Sequence, residues 1–329
     1  MIGQMSSSSS ALWPCAAVKN AELANRTTMR VGGVAEWLLE PIDPDELREA
    51  WLAAKEHGGP IRLLGGGANL IIDDGVLPGV VISTARMRRS FRLGDEPSGS
   101  DDPFLREEPQ AVTHDQETGP PRLVAWAGSS MPGLVRSAAE LGWTGLEGLV
   151  GVPGSLGGGV AMNAGGRPGW MWDVVQSVRV LDANGDFQDI PREDCNPVYR
   201  DGGLGSAIVV GAVLLLERSN KHEVRERMKT FLHEKKAVQP VTEASSGCIF
   251  KNPDPDASDG RSAGMLVEQA GAKGLTRGDA IVSELHGNFI INRGQATAVD
   301  VLTLIEDVKD RVAERFGIAL QTEVKRWAK

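Results

Sequence analysis

The sequence contains little cysteine and no long hydrophobic run. Its three cysteines, Cys15, Cys195 and Cys248, form no CxxC pair, which argues against a disulfide scaffold and a zinc site of the usual spacing. We therefore expect no bound metal and a reducing compartment, the cytoplasm. The longest strongly apolar run, residues 207–216, is about half of the roughly 20 residues that a membrane-spanning helix requires. The N-terminus lacks the basic and apolar regions of a secretory signal, so we expect none.

Positive charge is also in deficit. The chain has 35 Lys and Arg residues against 44 Asp and Glu residues, a formal net charge of −9 at pH 7. This balance argues against a nucleic-acid-binding protein, which needs a basic surface for phosphates. An anionic small molecule stays open as a ligand, because a cleft can be locally positive. We expect a small-molecule substrate, no nucleic-acid or membrane partner, and a monomer or weak oligomer.

Several common catalytic motifs are missing. There is no GxxxxGK[ST] phosphate loop and no GxGxxG after a strand, which argues against P-loop kinases and ordinary Rossmann dehydrogenases. No HExxH helix occurs, and the five histidines show no metal-ligand spacing. Zinc hydrolases are therefore not expected, and we predict no nucleophile elbow of an α/β-hydrolase.

Glycine, in contrast, is abundant. It accounts for 40 of 329 residues, well above the usual share of about 7%. Residues 64–70 (LGGGANL) lie between two predicted strands, where exposed N–H groups can bind a pyrophosphate; a tight turn is the alternative. Residues 151–159 (GVPGSLGGG) are a stronger candidate, because so much glycine is costly unless something lies against it. Close backbone packing is the alternative there, and both loops suggest nucleotide binding.

The predicted elements favour an α+β chain with at least two domains. Residues 1–18 are Ser-rich and predict a disordered tail. Residues 93–121 are acidic and rich in Pro, Gly and Ser, which predicts a solvated surface insertion rather than a packed element. Strands are predicted at 61–64, 70–72, 80–83, 122–127, 174–181, 207–216 and 289–292, and helices at 44–57, 132–141, 221–236, 265–270 and 298–316.

Eight motifs follow one another over about residues 20–327. They are NRTTMRVGG at 25–33, LGGGANLII at 64–72, GLEGLVGVPGSLGGGVAMNAGG at 145–166, YRD at 199–201, SGCIFKNP at 246–253, AGAKG at 270–274, VSELHGNFIIN at 282–292 and QTEVK at 321–325. In this order they resemble the UDP-N-acetylenolpyruvoylglucosamine reductases (MurB), FAD enzymes of peptidoglycan synthesis. Each motif is short, but the ordered set is highly specific.

The resemblance implies a fold and a cofactor. It implies a two-subdomain flavin domain of the vanillyl-alcohol-oxidase (PCMH) type at 19–218, with segment 27–33 helping to enclose FAD. A smaller α+β substrate-binding domain follows at 219–329, and its last segment, 318–329, contributes to the active site. The implied FAD-binding residues are Gly65, Gly66, Gly67, Ala68, Asn69, Val152, Pro153, Gly154, Ser155, Gly158, Asn163 and Gly165.

The implied reaction reduces UDP-N-acetylglucosamine enolpyruvate to UDP-N-acetylmuramate. Hydride passes from NADPH to FAD and then to C3 of the enolpyruvyl double bond. Negative charge develops on C2 and the carboxylate, so catalysis needs electrostatic stabilisation and an acid that protonates C2. NADPH as the hydride donor rests on the resemblance alone.

Arg200 and Glu323 match two catalytic positions of the family. Arg200 can hold a carboxylate through its planar guanidinium, and Tyr199, the only tyrosine, is implied to lie against the substrate. Without the resemblance, a salt bridge to Asp201 is the simpler interpretation of Arg200. Glu323 is implied to support the enolate together with Arg200; unaided, it reads as an edge-strand charge paired to Lys325.

The third catalytic position departs from the family. The usual proton donor there is a serine, whereas the register of Phe250 and the residues after it puts Cys248 in its place. A thiol, with an ordinary pKa of about 8.5, is a stronger acid than an alcohol, and we predict that Cys248 protonates C2. Ser246, displaced by two residues, is the alternative donor. A buried cysteine acting as a small hydrophobe is the third interpretation.

The diphosphate of the substrate needs cations and other polar groups. Lys251 and Asn252 lie in a matched motif, and Lys236 precedes it in a less certain register; all three are implied substrate-binding residues. A solvated surface lysine is the alternative for each lysine. The chain resembles the shorter, type II form of the family, because Tyr199 is its sole tyrosine and the other form has an extra tyrosine-bearing loop.

Two other functions compete with this one. The first is another oxidoreductase of the same fold with a covalent flavin, which is disfavoured because Cys248 lies outside the flavin loops and no histidine has a clear attachment context. The second is a flavin-binding protein without catalysis, in which Cys248 marks decay of the site. The presence of Arg200 and Glu323 argues against that second alternative.

Overall fold

The computed structural model describes residues 13–93, 102, 104 and 119–329. Contacts between Cα atoms divide the chain into two compact units. Among the described residues, the N-terminal unit contains 13–18, 37–66 and 80–232, and the C-terminal unit contains 19–36, 67–79 and 233–329. Segments 19–36 and 67–79 thus belong with the C-terminal unit in contacts, while the functional domain limits 19–218 and 219–329 stay a prediction.

The helices begin and end where local signals predict. Asp43 Oδ1 accepts a hydrogen bond from Glu46 N at 2.8 Å and so caps the first helix, because the first N–H groups of a helix lack internal partners. Thr297 and Asp300 form the predicted capping box of the last one. No helix in the described parts of the chain has the length and apolarity needed to cross a membrane. The helices are α1 (Pro44–His57), α2 (Met131–Leu141), α3 (Leu156–Ala161), α4 (Lys221–Val238), α5 (Pro255–Ser258), α6 (Ala263–Gln269) and α7 (Ala298–Phe316).

The strands include every predicted one, with shifts of a few residues at some ends. They are β1 (Ala16–Glu22), β2 (Val34–Glu40), β3 (Ile61–Leu64), β4 (Leu70–Ile72), β5 (Val76–Ser83), β6 (Ser90–Leu93), β7 (Arg122–Trp126), β8 (Trp143–Thr144), β9 (Gly165–Gly166), β10 (Gly169–Trp170), β11 (Val175–Leu181), β12 (Phe187–Pro191), β13 (Ile208–Leu215), β14 (Glu217–Arg218), β15 (Ser245–Cys248), β16 (Thr276–Arg277), β17 (Ala280–Val282), β18 (Phe289–Asn292) and β19 (Lys325–Trp327).

A five-stranded antiparallel sheet of order β12-β11-β13-β7-β6 occupies the N-terminal unit. Successive side chains of a strand point to opposite faces, and β7 buries both. Leu123 and Ala125 pack with residues of α2 and α3, whereas Val124 and Trp126 pack with residues of α1. The sheet therefore separates two apolar cores, and α3, which follows the second glycine loop, lies against one of them.

A second sheet has the order β1-β2-β5-β3. In it β3 runs parallel to β5, with Ile61 opposite Val80 and Leu64 opposite Ser83. The first glycine loop begins where β3 ends, so this pairing fixes the start of that loop.

The C-terminal unit contains the antiparallel sheet β15-β18-β17-β16. Helices α6 and α7 bury Leu266, Val301 and Leu304 in its core. The last strand, β19, runs parallel to β4 with Lys325 opposite Leu70. This pairing brings the QTEVK segment beside the strand that follows the first glycine loop.

The N-terminal tail is shorter than the sequence predicts. Residues 1–12 lie outside the described residues. Trp13 is only 5% exposed and meets Trp37 edge-on, with ring centroids 5.7 Å apart, and β1 begins at Ala16. The prediction of disorder through residue 18 is therefore wrong for 13–18, because burying an indole repays the entropy of ordering a few residues.

Most of the predicted insertion at 93–121 lies outside the described residues. Phe104, however, is 1% exposed, and the guanidinium carbon of Arg179 lies 4.6 Å from its ring centroid. Asp102 Oδ2 lies 2.6 Å from Arg179 Nη1. The prediction that this segment contains no packed element is wrong at these two positions, where an aromatic ring and a charge find partners on the central sheet.

Glu147 holds the turn that leads into the second glycine-rich segment. Its carboxylate accepts hydrogen bonds from Thr144 Oγ1 at 2.5 Å, Gly145 N at 2.7 Å and Arg227 Nε at 2.9 Å. Burial alone would raise the pKa of this carboxyl, but the donors outweigh burial and hold the pKa below its usual value. The carboxylate therefore stabilises the fold above its unfolded-state pKa of about 4.3, and this stabilisation is lost as the pH falls through the folded-state pKa.

Glu147→Gln should lower the free energy of unfolding by about 1–3 kcal/mol at pH 7, because the amide turns a donor toward groups that are themselves donors. The difference from the wild type should shrink below about pH 4, where both proteins lack the charge. Urea denaturation at the two pH values measures this. Glu226→Gln removes an exposed carboxylate that pairs with Lys229 on α4 and should leave the midpoint unchanged; equal losses in both variants would contradict the special role of Glu147.

Candidate active site

The two glycine-rich loops meet in the N-terminal unit. A Cβ on Gly66 would lie 2.5 Å from Gly154 Cα and 2.7 Å from Ser155 N, and one on Gly65 would lie 3.0 Å from Ser155 Oγ. Backbone atoms cannot give way as a flexible side chain can, so residue 66 must be glycine for the loops to touch. The structure thus brings together residues of both predicted FAD loops, including the segment that carries Val152, Pro153 and Gly158.

Ser155 and Gly158 give this meeting point the properties of an anion site. The Ser155 hydroxyl is buried and has no hydrogen-bond partner among the described residues. A Cβ on Gly158 would have nothing within 4 Å. A buried hydroxyl is destabilising unless something satisfies it, and the open space beside Gly158 lets a large group approach. These residues therefore fit the pyrophosphate of FAD.

The rest of the first loop belongs to the C-terminal unit. Gly67 has a φ of +61°, and a Cβ on it would collide with the Arg26 carbonyl. Thr28 N donates to Gly67 O at 3.1 Å, and Asn69 Nδ2 donates to Glu323 O at 3.3 Å. Gly67, Ala68 and Asn69 are thus held between the 26–28 segment, predicted to help enclose the cofactor, and the C-terminal segment.

A tight turn in the N-terminal unit presents Tyr199 and Arg200. Val198 N donates to Asp201 O at 2.8 Å, and Asp201 N donates back to Val198 O at 3.2 Å. Arg200 has a φ of +61°, a conformation that costs a non-glycine residue about 1–2 kcal/mol. Its Nη1 donates to Gly165 O at 3.2 Å. Such strain persists only where the surroundings hold it, and it clusters at functional sites.

Asn163 fastens this turn to the second glycine-rich segment. Its Nδ2 donates to Val198 O at 3.2 Å, and its Oδ1 accepts from Trp172 N at 3.3 Å. Gly202 N, just after the turn, donates to Ala161 O at 2.9 Å. Asn163 and Gly165 therefore shape the turn that carries Arg200, while their predicted contact with FAD stays a prediction.

Cys248 and Glu323 lie on neighbouring segments of the C-terminal unit. Strand β15 ends at Cys248, opposite Phe289 of β18. Immediately afterwards, Ile249 O accepts a hydrogen bond from Glu323 N at 2.7 Å. Cys248 is half-buried, and Glu323 is only 7% exposed, which argues against Glu323 as an exposed edge-strand charge. The structure thus brings the predicted proton donor and carboxylate onto adjacent backbone.

Ser246, the alternative donor, is more deeply buried than Cys248. It is 2% exposed, and its hydroxyl has no partner among the described residues. The register of β15 shifts between Ser245 and Cys248, and Gly247 between them has a φ of +77°. This bulge changes the usual alternation of the strand, and the burial favours Cys248 as the residue that a substrate can reach.

The three predicted substrate-binding residues of the C-terminal unit have different surroundings. Lys236 lines a cavity of about 500 Å³ together with Ser283 and Arg293, so two cations border that space. Lys251 is exposed. Asn252 Oδ1 accepts from Ala263 N at 3.0 Å, at the start of α6. Contact of these residues with the substrate stays a prediction.

Sequence reasoning missed Asn288 and Trp170. Asn288 clamps the strand after Cys248, since its Oδ1 accepts from Phe250 N and its Nδ2 donates to Phe250 O, both at 2.8 Å. It lies inside the VSELHGNFIIN motif, which was the available signal. Trp170 lies beside Arg200, and nothing in its local sequence indicates this.

A short GxSxG pattern at residues 260–264 (GRSAG) also went unused. It follows α5 and a loop rather than a strand. Ser262 Oγ accepts a hydrogen bond from Met265 N at 3.3 Å, so it caps α6. The pattern is therefore a helix start, and the absence of a hydrolase nucleophile elbow holds at this position.

Comparison with known proteins identifies the family. Residues 239–327 match the C-terminal domain of UDP-N-acetylenolpyruvoylglucosamine reductase, and residues 35–98 and 111–190 match an FAD binding domain. A UDP-N-acetylenolpyruvoylglucosamine reductase from Acaryochloris marina is 38% identical over 306 residues, 92% of this chain and 90% of the relative. The chain belongs to the UDP-N-acetylenolpyruvoylglucosamine reductase family.

Other members of the reductase family agree with this assignment. The relative from Moorella thermoacetica is 36% identical over 309 residues, covering 94% of this chain and 92% of its own length. The crystal structure of the reductase from Thermus caldophilus has a TM-score of 0.73 and 34% identity, covering 95% of this chain and 98% of the other. The predicted α+β fold, with an FAD-binding domain and a reductase C-terminal domain, is confirmed.

Proposed function

We propose that this chain reduces the enolpyruvyl double bond of UDP-N-acetylglucosamine enolpyruvate, and that Arg200, Cys248 and Glu323 act on the substrate. The reaction is that of the reductase family: NADPH-dependent, FAD-dependent formation of UDP-N-acetylmuramate for peptidoglycan. The observation that carries the proposal is the meeting of two glycine loops at an unsatisfied Ser155 hydroxyl. It gives the flavin pyrophosphate a specific place in the chain.

Each of the three residues has a distinct task. When bound, FAD takes hydride from NADPH and supplies it to C3 of the enolpyruvyl group. The Arg200 guanidinium is always protonated and binds the substrate carboxylate, on which negative charge develops. Cys248 delivers the proton to C2. Glu323, buried on the segment next to Cys248, supports the geometry of the charged intermediate.

Compartment and subunit number form part of the same proposal. The protein works in the cytoplasm as a monomer or weak oligomer. No disulfide joins its three cysteines, Cys15, Cys195 and Cys248, and reduced cysteines are typical of a reducing compartment.

An anaerobic stopped-flow record of the flavin absorbance tests the function. NADPH should bleach the flavin, and UDP-N-acetylglucosamine enolpyruvate should restore it. UDP-N-acetylglucosamine, which lacks the double bond, is the matched control and should restore nothing. Bleaching without recovery would contradict the proposed substrate and leave a flavin-binding protein without this catalysis. A protein that takes up no flavin would overturn the proposal entirely.

A further inference from the structure

The Arg200 side chain contacts two aromatic rings. Its guanidinium carbon lies 5.0 Å from the ring centroid of Tyr199 and 5.5 Å from that of Trp170. The two rings are nearly perpendicular, with centroids 6.1 Å apart and an interplanar angle of 79°. A guanidinium within about 6 Å of a ring centroid is attracted by the ring.

Trp170 and the carbonyl that binds Arg200 belong to one hairpin. In the ladder of β9 and β10, Trp170 lies opposite Gly165, whose carbonyl accepts the Arg200 hydrogen bond. A Cβ on Gly165 would collide with the Gly169 carbonyl, so this register depends on glycine. Trp170 N donates to Asp173 Oδ2 at 2.7 Å, which fixes the end of the hairpin. One rigid element therefore supplies both a hydrogen-bond acceptor and a ring to the same guanidinium.

We propose that Trp170 is a positioning residue for Arg200. Its ring and the Gly165 carbonyl together hold the guanidinium in the orientation that binds the substrate carboxylate. A long, flexible side chain loses rotamer freedom on binding, and holding it beforehand removes part of that loss. The backbone turn fixes only where the Arg200 side chain begins, so a contact further along the chain is needed to direct its end. This inference rests on the proposed role of Arg200 in substrate binding.

Two substitutions separate a ring effect from simple packing. Trp170→Leu keeps apolar volume but removes the ring, whereas Trp170→Phe keeps a ring. Flavin re-oxidation is recorded by stopped flow after reduction with NADPH, over a range of concentrations of the enolpyruvyl substrate. We expect the concentration giving half-maximal rate to rise about 10-fold in Trp170→Leu and by less than about 3-fold in Trp170→Phe. Equal changes in the two variants, or none in Trp170→Leu, would overturn the positioning role.

A double-mutant cycle distinguishes this inference from the proposal beneath it. In an Arg200→Ala background, Trp170→Leu should change the half-maximal concentration by less than about 2-fold, because the contact is already gone. If Arg200→Ala alone re-oxidises normally, the proposed role of Arg200 is wrong. If Arg200→Ala is slow while Trp170→Leu alone is normal, or if the two losses add fully, only the positioning role is overturned.

Two further variants keep the test independent of folding. Trp170→Met replaces Trp170→Leu if the latter fails to retain flavin, and the same 10-fold rise is expected. Trp51→Leu removes another partly buried tryptophan, which lies on α1 and donates from Nε1 to Ala183 O at 3.3 Å. That control should re-oxidise like the wild type; a rise equal to that of Trp170→Leu would show that loss of any tryptophan produces it and would overturn the inference.

Discussion

Cys248→Ala should still be reduced by NADPH at the wild-type rate but should re-oxidise with the enolpyruvyl substrate about 10²–10⁴-fold more slowly. This range is what a positioned acid typically contributes. Hydride addition leaves charge on C2, and without a proton donor the addition reverses instead of yielding product. Stopped-flow measurement of the two half-reactions separates the two rates. Cys248→Ser should keep substantial turnover, because a hydroxyl can donate a proton from the same position.

Ser246 is the matched control for this experiment. It lies two residues away but is 2% exposed, whereas Cys248 is half-buried. Ser246→Ala should therefore re-oxidise almost normally. If Cys248→Ala is normal and Ser246→Ala is slow, Ser246 is the donor and the assignment of Cys248 is wrong.

The pH dependence and the reactivity of the thiol give independent readouts. A thiol donates only while protonated, so re-oxidation should slow as the pH rises through its pKa, and Cys248→Ser should lack this decline. Burial raises the pKa of Cys15 to about 11 and also raises the pKa of Cys195 above its ordinary value. Both therefore resist alkylation, since the thiolate is the nucleophile. Iodoacetamide should modify Cys248 first, and the enolpyruvyl substrate should slow that modification.

Local signals were sufficient to predict most of the secondary structure. The cap at Asp43, the capping box at Thr297 and the glycines after α1, α2 and α7 fixed helix ends, because each acts within one turn of the helix. Strands β3, β4 and β18 match their predicted ranges for a similar reason, since short apolar runs bounded by turn residues are typical of buried strands. The cofactor loops were recognisable because glycine in such density has few other uses.

What the sequence could not predict depends on contacts between distant positions. Phe104 looked like part of a solvated acidic stretch until its place beneath Arg179 was known. The contact of Trp170 with Arg200 requires both the register of a two-residue ladder and a turn thirty residues later. The unsatisfied Ser155 hydroxyl is visible only once the two loops are seen to touch. Pairings of this kind leave no periodicity in the chain.

Gly66→Ala should abolish FAD binding and lower the stability of the protein. The new Cβ would lie 2.5 Å from Gly154 Cα and 2.7 Å from Ser155 N, so the backbone of one loop must move. Overpacking of this kind typically costs about 1–3 kcal/mol, and more where backbone blocks the way. The same movement separates the loops that bind the pyrophosphate, so we expect FAD affinity to fall by about 100-fold or more. Flavin content after purification and the thermal midpoint measure the two effects.

Gly158→Ala separates a ligand contact from packing within the protein. Its Cβ would meet nothing within 4 Å, so the thermal midpoint of the flavin-free protein should stay unchanged or rise slightly, as alanine favours a helix. FAD affinity should nevertheless fall, because that open space is where the pyrophosphate approaches. Gly133→Ala in α2, where the Cβ would make an ordinary contact of 3.5 Å with Ser130 Cβ, should affect neither FAD binding nor turnover. Normal FAD affinity in Gly158→Ala would show that the pyrophosphate lies elsewhere, and normal behaviour of Gly66→Ala would show that the loops do not touch.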